Sequence, residues 1–216
     1  MKRELDFESA ALVYEEWPGQ FERFSHFEFT CGIPQPMFVI STLKENGLPN
    51  ACLHSWSSFS GDGGGFFAIM SGLGKNTHTY ANIVRDKVFC INFLSPEHIA
   101  KCVDSIKYNS MSHDEFEASG FTAEPARTID CVRIAESFLC LECRAEYDVD
   151  LSKKGISATI VGRVEHIAME DGYMEGIDKK YSREGFMSLI HSPVDYAFGK
   201  NTDTCVGYTD VISRID

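Results

Sequence analysis

Residues 37–59 read Met-Phe-Val-Ile-Ser-Thr-Leu-Lys-Glu-Asn-Gly-Leu-Pro-Asn-Ala-Cys-Leu-His-Ser-Trp-Ser-Ser-Phe. Met37 to Leu43 is rich in β-branched residues and reads as a strand. Asn46-Gly47 is a strong hairpin signal, because tight hairpin turns need φ > 0 at their central positions. Asn50 to Phe59 reads as the returning strand. Further strands are expected at Phe66–Ser71 and Lys87–Leu94. A long alternating pair spans Phe138–Val149 and Ile156–Ala168, joined by Lys153-Lys154-Gly155. In its first strand Leu139, Leu141, Cys143, Ala145, Tyr147 and Val149 would share one face. Cys140, Glu142, Arg144, Glu146 and Asp148 would share the other, as a period of two demands.

Helices are expected between these strands. Thr77 suits an N-cap for a helix through about Arg85, its hydroxyl accepting from a first-turn N–H. Ser95-Pro96-Glu97 opens a second helix, with Ile99, Cys102, Val103 and Ile106 on one face. Ser112-His113-Asp114-Glu115 reads as a capping box for a short third, ended by Gly120. Strand mostly follows strand, which disfavours a doubly wound parallel sheet. The fold class is therefore mainly β with peripheral helices, arranged as a small antiparallel barrel. Residues 1–30, with Trp17, Phe21, Phe24, Phe27 and Phe29, read as a short helix and strand. This arm would pack on the body or on a partner subunit. Residues 31–170 form the barrel domain, and 171–216 extend it.

The chain has 216 residues, 44% of them hydrophobic, enough for one sizeable core. Its net charge is −12, from 20 basic and 32 acidic side chains, so nucleic acid and anionic membrane are poor partners. Apolar runs such as Phe66–Met70 and Val88–Leu94 fall far short of the roughly 20 residues a membrane helix needs. Met1–Ala10 carries Glu4, Asp6 and Glu8 and no apolar stretch. The expectation is a cytoplasmic protein whose eight cysteines are reduced.

Several patterns have plain structural readings. Cys140-Leu141-Glu142-Cys143 lies within one strand, so its thiols point to opposite faces and cannot share a metal. Gly61-Asp62-Gly63-Gly64-Gly65 lacks the Gly-Lys-Ser/Thr ending of a phosphate loop and reads as an inter-strand loop. The seven histidines form no metal-ligand spacing, although His54 and His78 fall near the two stretches of interest. The first of these is Asn50–Phe59, unusually dense in small polar groups. It faces either solvent or a ligand. The second is Lys75-Asn76-Thr77-His78-Thr79, which sets a lysine and a hydroxyl at a helix N-terminus. That arrangement suits an anion, and equally an ordinary N-cap beside a surface lysine.

Together these stretches resemble the flavin reductase-like family, in particular its flavoredoxin branch, from about Pro34 to Val164. Pro34–Thr42, Gly47-Leu48-Pro49-Asn50-Ala51, Ser55-Trp56-Ser57-Ser58-Phe59, Lys75-Asn76-Thr77 with Asn82-Ile83, Phe89–Leu94, Phe116–Phe121 and Leu141-Glu142-Cys143 occur in family order. The resemblance implies a split β-barrel of FMN-binding type, usually a homodimer with flavin near the subunit interface. It implies an oxidoreductase passing hydride or electrons through FMN, with FAD the less expected flavin and NAD(P)H an available substrate. The alternative it leaves is an electron carrier or flavin-binding protein without NAD(P)H activity, fed by a redox protein partner. Lys75, Asn76, Thr77 and Asn82 would serve the phosphate side. Asn50, Ala51, Cys52, Ser55, Trp56, Ser57 and Ser58 would border the ring and ribityl chain. No side chain is expected to act as a catalytic acid or base. The chain departs from the family pattern at Ser152-Lys153-Lys154-Gly155, where many members carry Gly-Asp-His, and at Asn76, where they carry Asp.

Overall fold

The computed structural model describes residues 2, 4–6, 15, 17–191, 194–195, 200–201, 203–213 and 215. Glu8 and most of the acidic N-terminal stretch lie outside them. The chain divides into two units, 36–187 with 208–216 and 1–35 with 188–207.

The larger unit is built on one seven-stranded antiparallel sheet. Its strands are β1 (Phe38–Leu43), β2 (Pro49–His54), β3 (Ser57–Asp62), β4 (Gly65–Gly74), β5 (Val88–Phe93), β6 (Leu139–Val149) and β7 (Ser157–Met169). They lie in the order β2-β1-β5-β6-β7-β4-β3. The two edge strands are consecutive in sequence and joined only by Ser55 and Trp56. Two residues cannot span a flat seven-stranded sheet, since three Cα steps reach at most about 10–11 Å. The sheet therefore curls until its edges meet, closing a barrel across a seam without ladder pairing among the described residues. Phe59 of β3 shows the closure, its ring 5.8 Å from Phe38 of β1 and 5.5 Å from Phe93 of β5.

The expected single strand Asn50–Phe59 is thus two strands on opposite edges. Its composition hides the break, because Ser55 and Trp56 are tolerated in strands. Gly47, at φ +82, makes the expected turn between β1 and β2. The glycine-rich loop is tighter than expected. Gly61, Asp62 and Gly65 continue the ladder of β3 and β4, leaving Gly63-Gly64 as a two-residue turn.

β5 explains its own unbroken apolar run. Phe89, Ile91 and Phe93 face the barrel core with Ile40, Met70 and Ile160. Val88 and Cys90 face a second cluster with Ile129, Cys131 and Cys140. Cys143 belongs to the first cluster and Cys140 to the second, so the two point to opposite faces as the alternation requires. All eight cysteines are free thiols.

The alternation of β6 does not hold to its end. The register with β7 shifts between Val161 and Gly162, where Tyr147 and Ala145 are successive partners and Glu146 is left over. This bulge turns the rest of the strand out of the core. Tyr147 and Val149, expected on one face with Leu139, are exposed whereas Leu139 is buried.

Five helices of the larger unit flank the barrel among the described residues: α1 (His78–Asp86), α2 (Ile99–Asp104), α3 (Glu115–Ser119) and the short α4 (Asp171–Met174) and α5 (Ile177–Lys180). Thr77 caps α1, its Oγ1 accepting from the Tyr80 N–H. A 3-10 turn at Pro96–His98 precedes α2, and Ser95 Oγ bonds Glu97 rather than a backbone donor. Ser112 does not cap α3. Asp114 does, accepting from the N–H groups of Phe116 and Glu117. Glu115, the other half of the expected capping box, is buried and pairs with Lys44.

In the smaller unit, two helices, Gln20–Arg23 and His26–Cys31, replace the expected helix and strand. Ser25 caps the second, and Gly32 ends it at φ +56. These end signals outweigh the β-propensity of Phe27 and Phe29. The rings pack edge-on, Phe21 to Phe29 at 5.7 Å and Phe24 to Phe29 at 6.2 Å. No helix among the described residues is long and apolar enough to cross a membrane.

Candidate functional site

The two stretches singled out in sequence meet in the larger unit. Asn50 Nδ2 of β2 donates to Thr79 Oγ1, in the first turn of α1, over a buried 2.9 Å bond. Thr77 Oγ1, besides capping the helix, donates to the Gly74 carbonyl at 2.7 Å, tying the start of α1 to the end of β4. Ala51 is fixed from the opposite side, its N–H donating to Glu115 Oε2 at 2.9 Å. The Cys52 thiol lies beside Thr79, and burial pushes it up to about 11 against the opposing Thr79 bond, so it stays neutral at ordinary pH. Asn82 is buried, donating to Thr42 Oγ1 at 2.9 Å and accepting from Arg85 Nη1 at 3.2 Å. Its amide is thus used to hold α1 on β1.

Lys75 sits just ahead of the helix. Its N–H donates to the Ile156 carbonyl at 3.0 Å, and its Nζ reaches Asp150 Oδ2 at 3.0 Å. Asp150 also accepts from the N–H groups of Lys153 and Gly155, each at 2.8 Å, and from Ser152 Oγ at 3.1 Å. The Lys75 ammonium, then the Gly155 N–H, hold the Asp150 carboxyl down to about 2. Asp150 in turn is the chief cause that raises Lys75. Tyr80 donates its hydroxyl to Asp148 Oδ2 at 2.8 Å, so a second carboxylate borders the same corner. Asn76 is exposed at the turn. The first-turn N–H groups of His78 and Thr79 have no acceptor within the helix, as at any helix start.

The third part is the β2–β3 corner. Ser55 is buried, Trp56 half-buried and Ser58 exposed. The Trp56 carbonyl accepts from the Ser71 N–H at 2.7 Å. Its ring covers Gly72, at φ +71, so close that a Cβ there would lie 3.4 Å from the ring. Ser57 Oγ is buried and has no hydrogen-bond partner among the described residues. Such a hydroxyl is normally satisfied, and one left open beside a polar strand invites a ligand heteroatom. Cavities of about 640, 410 and 380 Å³ lie elsewhere in the unit.

Lys75, paired with Asp150, and the α1 N-terminus thus stand at one end of this stretch, and the small polar groups of Ser55–Ser57 at the other. Asn50 and Cys52 both lie against Thr79 of α1. This donor set fits a phosphate at one end and a planar heterocycle at the other. Thr79, Glu115, Gly72 and Asp150 contact the candidate residues without any local sequence signal for it. Thr79 carries no signal of its own in sequence, and Glu115 reads there as part of a cap.

The family model described as "Flavin reductase like domain" matches residues 30–189. The chain belongs to the flavin reductase-like family. Among solved structures, it resembles a protein described as a flavin reductase with split barrel domain from Shewanella frigidimarina NCIMB 400. That likeness has TM-score 0.75 and 16% identity, covering 100% of this chain and 99% of the other. It also resembles flavoredoxin of Desulfovibrio vulgaris (Miyazaki F), with TM-score 0.58 and 19% identity over 64% of this chain and 72% of that one. A third likeness is to the FMN-binding protein from Thermus thermophilus with bound p-hydroxybenzaldehyde, with TM-score 0.63 and 13% identity over 94% and 97%. At these identities the likenesses establish the split-barrel fold. In sequence the chain matches an uncharacterized protein of Aquifex aeolicus (strain VF5), 27% identical over 115 residues, 52% of this chain and 59% of that relative. As a flavin reductase-like protein, the chain has the fold expected from its strands, and a flavin is the ligand its family points to.

Proposed function

We propose that this chain is an FMN-binding oxidoreductase that carries hydride or electrons through its flavin. The observation that carries this reading is the Asn50–Thr79 bond, which joins the polar strand to the helix start next to Lys75. Lys75, Thr77 and the first-turn N–H groups would hold the phosphate. Ser55, Trp56 and Ser57 would border the ring, with Ser57 Oγ as a hydrogen-bonding group. A bound flavin supplies the redox chemistry itself. The protein binds and orients it. The half-buried, neutral Cys52 thiol and the half-buried Trp56 ring would shield one side from water. FMN is favoured over FAD because the anion end offers one lysine and one helix start, with Asp148 and Asp150 close by to repel further phosphate. Titration of the apoprotein with each flavin is expected to give tighter binding of FMN, and absence of any flavin binding would overturn the reading.

The electron donor has two readings. An NAD(P)H-dependent reductase is the first. The second, an electron carrier reduced by a partner protein, is favoured by the loop Asp150–Gly155, which presents two lysines and no histidine. Steady-state NADH and NADPH oxidation with FMN present separates them.

A homodimer is proposed on the exposed apolar sheet face. Tyr147 and Val149 are exposed there, and Tyr147, Phe67, Ile69 and Val161 line a shallow cavity of about 380 Å³. Ser60, Gly61 and Asp62 complete that lining, and apolar side chains grouped in this way are commonly covered by a partner. Sedimentation equilibrium is expected to give a dimer at micromolar concentration, and Tyr147→Lys should shift it to monomer. A wild-type monomer with flavin bound would remove the proposal.

A further inference from the structure

We propose that Asp150 competes with the flavin phosphate for Lys75 and so sets how tightly the flavin is held. The inference rests on the FMN reading above and adds a residue to it. Lys75 is the cation at the anion end of the site, and its ammonium lies 3.0 Å from Asp150 Oδ2. A phosphate arriving at the α1 N-terminus meets a lysine already neutralised, with a carboxylate on its far side. Two like-charged acceptors then contend for one ammonium. The pair is also partly exposed, with side-chain exposures of 28% for Lys75 and 17% for Asp150, so the ammonium can leave the carboxylate at modest cost.

The loop is built to survive that departure. Asp150 keeps the N–H groups of Lys153 and Gly155 and the Ser152 hydroxyl when Lys75 moves away. The carboxylate therefore belongs primarily to its own turn, and Lys75 is the partner it can lose. Lys75 is anchored independently through its N–H to the Ile156 carbonyl, so its side chain can swing from Asp150 to a phosphate without unseating the strand end. Asp150 would thus cap the affinity for phosphorylated flavin and speed its release, while leaving affinity for the ring untouched.

Asp150→Asn tests this. Lys153 and Gly155 donate to different carboxylate oxygens, so the amide keeps one of these bonds through its oxygen and sets its NH2 against the other N–H, while the charge on Lys75 is freed. FMN affinity is expected to rise about two- to fivefold, the range of a partly exposed ion pair. Riboflavin affinity should stay as in wild type, and the thermal midpoint should fall slightly with the turn bond that the amide cannot accept. In a Lys75→Ala background the same replacement should give a gain shrunk toward unity, because nothing remains to be contested. An equal gain in both backgrounds would make Asp150 a mere source of repulsion and overturn the competition. Weaker FMN binding by Asp150→Asn would make it a positioning residue for Lys75 and overturn it as well. Should wild type bind neither FMN nor riboflavin, the flavin reading itself fails, a result distinct from either.

Discussion

Glu115→Ala is expected to cost about 3–5 kcal/mol of stability, the usual effect of removing one member of a buried ion pair. Lys44 Nζ lies 2.7 Å from Glu115 Oε1, and the two side chains are 0% and 2% exposed. The remaining donors of Lys44 go to the carbonyls of Ser110 and His113, at 2.6 and 2.8 Å. Glu115 Oε2 accepts the Ala51 N–H. Truncation therefore leaves a buried ammonium without its counter-ion and a buried backbone donor without its acceptor, each a separate penalty. For a chain of this size the thermal midpoint should fall by about 6–20 °C. Because Ala51 belongs to β2, the strand of the candidate site, flavin affinity should fall with stability. Urea unfolding monitored by circular dichroism is the measurement, and a loss below about 1 kcal/mol would show that the pair is dispensable. Lys44→Met combined with Glu115→Leu should cost less than the sum of the single replacements, since no isolated charge is then left in the core.

The same pair marks where sequence reading runs out. Lys44 stands in a hairpin and Glu115 in what reads as a capping box, both local patterns with ordinary explanations. The interaction joins residues far apart in sequence, and no spacing rule connects them. Thr77, by contrast, announces its role locally, because a cap is a contact between residues three apart. Asn46-Gly47 does so too, since its backbone requirement is met inside one turn. The barrel strands were legible for that reason. The Ser55–Trp56 break was not, because it follows from where two sheet edges meet. The outward turn of Tyr147 and Val149 was hidden likewise, since a bulge at Glu146 depends on pairing with β7. Asp150 looks like one more charge in a polar turn until the fold brings Lys75 against it.

Lys75→Ala is expected to weaken FMN binding roughly tenfold to a hundredfold, the worth of a charge-assisted contact to phosphate. The net charge of −12 makes the local cation matter more, since the distant field opposes any phosphate. Contention by Asp150 acts the other way and places the loss toward the lower end. Riboflavin presents the same ring without the phosphate, so its affinity should barely change. That contrast separates a lost phosphate contact from a general change in the site. A disturbed site would weaken both ligands alike, whereas a missing phosphate contact weakens only FMN. The Lys75 N–H to Ile156 survives in the alanine variant, so the end of β4 keeps its anchor. Fluorescence quenching on wild type and variant reads both affinities. Equal losses would assign Lys75 a structural role through Asp150, and unchanged FMN binding would leave it a surface lysine paired with a neighbouring turn.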